Sequence, residues 1–147
     1  MPRILLVEDN PNDVELTLRA LRKQNLENKV FVVRDGAEAL DFIFASGAYA
    51  SRKIEDKPKV VLLDLKLPKV DGFEVLNRVR ASEMTKFLPV VILTTSNEDQ
   101  DRIRGYDLGA NSFVRKPVEF EKFIEAVRQL GLYWLILNEP APVPRRS

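Results

Sequence analysis

The chain contains no cysteine and no histidine. The first absence removes disulfides, thiolate catalysis and Cys-based zinc sites. The second removes imidazole catalysis, His-containing triads, most transition-metal sites and any phosphohistidine carrier role. What remains for chemistry is carboxylates, lysine, hydroxyls and a hard, oxygen-seeking cation. An excess of one charge is also missing, since 23 Lys and Arg face 22 Asp and Glu for a net charge of +1. A dedicated nucleic-acid binder would show a strong basic excess, so no nucleic-acid partner is expected. No apolar run is long enough to span a membrane, and MPRILLVEDN turns acidic too soon for a signal peptide. A cytoplasmic location without membrane contact is the expectation.

The chain has 147 residues, 45% hydrophobic and 31% charged, an ordinary composition for one globular domain. At this size folding buries about 68–70% of the unfolded surface. Short apolar runs recur: Ile4-Leu5-Leu6-Val7, Val30-Phe31-Val32-Val33, Val60-Val61-Leu62-Leu63, Val90-Val91-Ile92-Leu93, and a weaker Phe113-Val114. Such runs mark strands buried on both faces, as in a parallel sheet. Helical spacing lies between them, with Val14, Leu18 and Leu21 after an Asn10 cap and Pro11. Similar stripes cover Gly36 to Phe44, Phe73 to Val79, Ile103 to Leu108 and Phe120 to Leu130. The alternation predicts an open, doubly wound α/β sheet. Gly47 to Pro58 is read as a surface loop after an extended helix end, and residues 138–147, with three prolines, as a flexible tail.

Ligands of open α/β sheets bind beyond the carboxyl ends of the strands. Glu8 and Asp9 follow the first run, Asp64 the third, Thr94 and Thr95 the fourth, and Lys116-Pro117 the fifth. Singly, each has an ordinary reading as a turn residue, a helix cap or an acid at a helix N-terminus. Together they place three carboxylates, a hydroxyl and a lysine on one edge. Two like charges about 4 Å apart cost about 4 kcal/mol at an effective dielectric near 20. One lysine cannot neutralise three acids, so a cation is expected, and oxygen donors without histidine select Mg²⁺. A carboxylate beside Mg²⁺ and a lysine is placed to attack phosphorus.

Leu5-Leu6-Val7-Glu8-Asp9-Asn10, Leu62-Leu63-Asp64-Leu65-Lys66-Leu67-Pro68, Asp71-Gly72, Leu88-Pro89-Val90, Thr94 and Lys116-Pro117 resemble the receiver domain of two-component response regulators. The resemblance covers residues 3–130. The loop before the third strand, the Leu93-Thr94-Thr95-Ser96 segment and the Leu132-Tyr133-Trp134-Leu135 extension are similar to the single-domain regulators paired with bacterial phytochromes.

The resemblance implies a flavodoxin-like sheet of five parallel strands, order 2-1-3-4-5, with helices on both faces. The receiver would span residues 1–137, including an extended C-terminal helix. It implies Asp64 as phosphoacceptor, with Asp9, Glu8, Asp64 and the Lys66 backbone carbonyl around Mg²⁺. Lys116 would pair with the phosphoryl group, through a cis bond to Pro117. Thr94 would be the switch hydroxyl and Phe113 the switching aromatic. The donor would be a sensor histidine kinase, a bacterial phytochrome on the narrower match. Glu8 departs from the commoner Asp, Phe113 lacks a hydroxyl, and Thr95 with Lys66 is expected to slow autodephosphorylation.

With only a short tail after the receiver, phosphotransfer or partner binding is the expected output. Leu132 to Leu137 is six apolar residues in a row, more than one core-facing stripe uses. Either it caps its own domain or it joins Ile103, Tyr106, Tyr133 and Trp134 in a homodimer contact. A phosphorylation-independent pseudo-receiver is the alternative function. A haloacid-dehalogenase-type phosphohydrolase ranks low, because Lys66 stands where that class needs a second acid. A nucleotide-binding fold lacks its Gly-rich loop after the first strand.

Overall fold

The structure is a computed structural model that describes residues 3–142, apart from Gln24, Glu27, Asn28 and Val118. Residues 143–147 of the expected tail lie outside the described residues. In chain order the elements are β1 (Ile4–Val7), α1 (Pro11–Arg22), β2 (Val30–Val33), α2 (Gly36–Ile43), β3 (Val60–Leu63), α3 (Gly72–Ala81), β4 (Val90–Thr94), α4 (Asp99–Asp107), β5 (Ser112–Arg115) and α5 (Phe120–Leu132). All strand pairs are parallel, in the order β2-β1-β3-β4-β5.

The apolar runs form strands because β-branched and leucine side chains fill both faces of the sheet. Leu5 and Val7 join one core with Phe42, Phe73 and Leu76 from α2 and α3. Ile4 and Leu6 join the other with Val14 and Leu21 of α1 and Phe123 and Val127 of α5. Helix starts are set by side-chain caps: Asn10 accepts from the backbone of Asn12 and Asp13, Asp35 from Glu38, and Asp71 from Glu74. Two of the chain's acids, Asp35 and Asp71, are thereby used as caps.

The α2–β3 connection differs from the expectation. α2 ends at Ile43 rather than extending, and a short 3-10 turn (Gly47–Tyr49) follows. Ala45 and Gly47 take positive φ there, which breaks the helix. Tyr49 packs edge-on against Phe31 and Phe42, and its hydroxyl donates to Glu38 at 2.6 Å. The Arg52 guanidinium lies over Phe42 and donates to the carbonyls of Phe42 and Asp56. The polar-looking loop is fastened to the sheet edge by an aromatic cluster.

At the C-terminus the helix passes through Gly131 and then widens into a π-helical turn (Tyr133–Leu137), closed by Asn138 N–H on the Tyr133 carbonyl at 2.7 Å. Trp134 turns inward and is 8% exposed, within the α1/α5 core. It is therefore not an open contact residue as expected; its own chain covers it. Ile103, Tyr106 and Tyr133 are exposed, as are Ile136 and Leu137.

Candidate functional site

The sheet ladder continues one residue past several strands and fixes the backbone of the site. Glu8 N–H donates to Val33, Asp64 N–H to Val7, and Lys116 N–H to the Thr94 carbonyl. Gly72 lets α3 start against this edge, since a Cβ there would lie 2.4 Å from the Asp64 carbonyl oxygen. That contact is with backbone and leaves no room for a side chain.

The side chains then converge. Carboxylate oxygens of Glu8, Asp9 and Asp64 lie within 4.8 Å of one another. Lys116, buried at the end of β5, donates to Glu8, to Asp13 at 2.8 Å and to Asp64 at 3.3 Å. Asn10 N–H donates to the second Glu8 oxygen at 3.1 Å. Burial pushes the Glu8 carboxyl up to about 7; the Lys116 hydrogen bond pulls it down and the Asp64 charge raises it further. Burial pulls the Lys116 ammonium down, but its bonds to Asp13 and Glu8 and the nearby Asp64 charge carry it above its ordinary value. Clustered hard oxygens with excess negative charge fit a divalent cation.

The other expected residues fall as follows. Thr94 is fully buried at the end of β4, its Oγ1 accepting from Ser96 N–H at 3.3 Å. Ser96 in turn donates to Asp101 of α4. Thr95 is exposed. The Lys66 side chain is exposed, and its N–H approaches Asp64 Oδ1 at 3.5 Å. Phe113 is half-buried against the α2/α3 core, beneath Gly105 of α4. The Lys116–Pro117 bond is trans, against the expectation, since no cis peptide occurs among the described residues. A trans bond is the intrinsically favoured form and still lets Lys116 reach three carboxylates. Asp13 was not anticipated. Its only signal in the sequence is its place beside Val14, at the border of α1's core stripe.

Residues 4–128 match the response regulator receiver domain. The chain belongs to the response regulator receiver family. Response regulator Rcp1 of Synechocystis is 35% identical over 132 residues, covering 90% of this chain and 88% of Rcp1. Its Mn²⁺-bound structure superposes with a TM-score of 0.86 at 31% identity, covering 96% of this chain and 100% of that one. The bacteriophytochrome response regulator AtBRR is 56% identical with a TM-score of 0.72, covering 95% and 99%. The probable methanogenesis regulatory protein FilR2 of Methanothrix harundinacea is 41% identical over 140 residues, covering 95% of this chain and 88% of FilR2. This receiver thus resembles the phytochrome response regulators, and membership implies a histidine kinase as partner. Among the described residues no helix is long and apolar enough to cross a membrane.

Proposed function

We propose that this receiver takes a phosphoryl group on Asp64 from a phytochrome-type sensor histidine kinase in the cytoplasm. The supporting observation is Lys116, held between Glu8 and Asp64 beside three clustered carboxylates at one sheet edge. In the transfer, an Asp64 oxygen forms the new O–P bond as the N–P bond of the donor phosphohistidine breaks. The electron pair of that bond leaves with the imidazole nitrogen, which takes up a proton. Lys116 neutralises the oxygens of the phosphoryl group in flight. Asp9, Glu8, Asp64 and the Lys66 carbonyl would hold Mg²⁺, which when bound would supply the second positive charge that phosphoryl transfer needs.

Thr94 then bonds a phosphoryl oxygen, and Phe113 repacks under α4. Small donors such as acetyl phosphate serve in the same way. Thr95, after the switch hydroxyl, and Lys66, two residues past Asp64, slow hydrolysis, which Thr95→Ala and Lys66→Asn accelerate. Exposed Ile103, Tyr106 and Tyr133 supply a contact with a second copy. No observation favours a phosphorylation-independent scaffold.

Intact-mass analysis after incubation with Mg²⁺ and acetyl phosphate tests the reading. One added phosphoryl group is expected, absent in Asp64→Asn and absent without Mg²⁺. An adduct that survives in Asp64→Asn would overturn it.

A further inference from the structure

An ammonium group has three N–H donors. Lys116 has three carboxylate partners, Glu8, Asp13 and Asp64, so its capacity is fully used. The Asp13 bond, at 2.8 Å, is shorter than the Asp64 bond at 3.3 Å and lies in the range of strong charge-assisted bonds. Asp13 cannot simply follow the lysine. It sits in the first turn of α1, its N–H on the Asn10 side chain and its carbonyl accepting from the buried Thr17 hydroxyl at 2.8 Å. A carboxylate is also well placed at a helix N-terminus. Among the described residues the oxygens clustered closely enough for a cation are those of Glu8, Asp9 and Asp64. Asp13 therefore reaches the chemistry through Lys116 rather than through a metal.

We propose that Asp13 is a positioning residue that competes with the phosphoryl group for Lys116, holding the ammonium against α1 until Asp64 is modified. The inference rests on the reading of Asp64 as phosphoacceptor. Phosphorylation puts new oxygens and further negative charge on Asp64; the N–H already given to Asp64 passes to them in place, and a second donor that turns to them must leave Asp13 or Glu8. Glu8 is kept in place by burial and by Asn10 N–H. Asp13, on the more open side of the site, is the partner that yields. Its strength sets how much the phosphorylated state must gain before the lysine changes hands.

The test is calorimetric titration with beryllofluoride, a phosphoryl stand-in, at saturating Mg²⁺. Asp13→Asn removes the competitor and should bind about fivefold or more tightly than the native chain. Asp13→Glu restores the competing charge and should return affinity toward the native value. Glu15→Gln removes the same charge from an exposed position on α1 that is no partner of Lys116, and should change nothing. Unchanged or weaker binding in Asp13→Asn overturns the proposal, as does equal tightening in Glu15→Gln, which would mark a general field effect. If the native chain binds beryllofluoride and Asp64→Asn does not, the phosphoacceptor reading stands whatever Asp13 does. If the native chain binds none, both fall together.

Discussion

α1 and α4 both follow strands that end at the carboxylate–lysine cluster, but α1 is fastened by a side-chain cap and a buried apolar stripe, whereas α4 meets the sheet chiefly at Gly105. α1 is capped by the Asn10 side chain and buries Val14, Thr17, Ala20 and Leu21. α4 has no side-chain cap at Glu98 and buries Gly105. Its ion pair, Arg102 with Asp99, stands in solvent. The partners of Lys116 come from β1, α1 and the end of β3, while the α4 side contributes Thr94 and the Ser96–Asp101 bond. Local stability follows buried apolar contact. One flank of the site thus holds its charges on a capped and well-buried helix, and the other, beyond Thr94, rests on fewer buried side chains.

The largest break in this contrast comes from Lys116→Met. Removing the cation leaves Glu8, Asp13 and Asp64 without it in a site where the lysine side chain is 5% exposed. The expected loss is about 3–5 kcal/mol at pH 8 without metal. It shrinks at pH 5.5, where Glu8 carries a proton. Urea unfolding at the two pH values measures both. Arg102→Ala, on the α4 flank, should cost at most about 0.5 kcal/mol in the same assay.

Next comes pH. The Glu8 carboxyl is raised to about 7 in the folded chain from an ordinary 4.5, through burial. The folded state binds this proton more tightly than the unfolded chain does, so that contribution is full below 4.5 and lost as pH rises through about 7. A cation needs the ionised form. Mg²⁺ affinity should therefore fall as pH drops below about 7, approaching tenfold per unit. Glu8→Gln should flatten both the stability profile and the affinity profile. Calorimetric Mg²⁺ titration at pH 5.5, 7 and 8 decides it.

Gly105→Ala probes the loose flank. A Cβ would lie 2.8 Å from Ile92 Cδ1 and 3.2 Å from the Phe113 ring, both movable side-chain atoms. Overpacking costs about 2 kcal/mol, offset by about 1 kcal/mol of helix propensity. A net loss of about 1 kcal/mol by thermal unfolding is expected.

Much of this was readable because parallel strands buried on both faces appear as unbroken apolar runs, and the one or two residues after each run land on the carboxyl edge of the sheet. Glu8, Asp9, Asp64 and Lys116 meet for that reason. Asp13 was hidden because a first-turn acid has an ordinary explanation, and only the bond from Lys116, at the far end of the sheet order, gives it another. The order in Gly47 to Pro58 was hidden because Tyr49 and Arg52 find partners on β2 and α2 that no helix or strand periodicity links to them. The burial of Trp134 depends on a helix widening by one residue per turn, which no spacing rule anticipates.

The pair of cap variants sharpens the comparison most directly, because it tests the caps alone. Asn10 Oδ1 accepts from two backbone N–H groups, at 2.9 and 3.3 Å. Asn10→Ala should cost about 1 kcal/mol, the usual value of such a cap. Because Asn10 also orients the first turn that carries Asp13, the variant should loosen the hold on Lys116. Glu98 makes no capping bond, so Glu98→Ala should stay within about 0.5 kcal/mol. Hydrogen exchange separates the two readings of a stability loss. If α1 is the locked flank, Asn10→Ala speeds exchange through α1 and leaves α4 as fast as before. Equal slowing or speeding of both helices would mean that the two flanks open together, and the division of labour around Lys116 would be wrong.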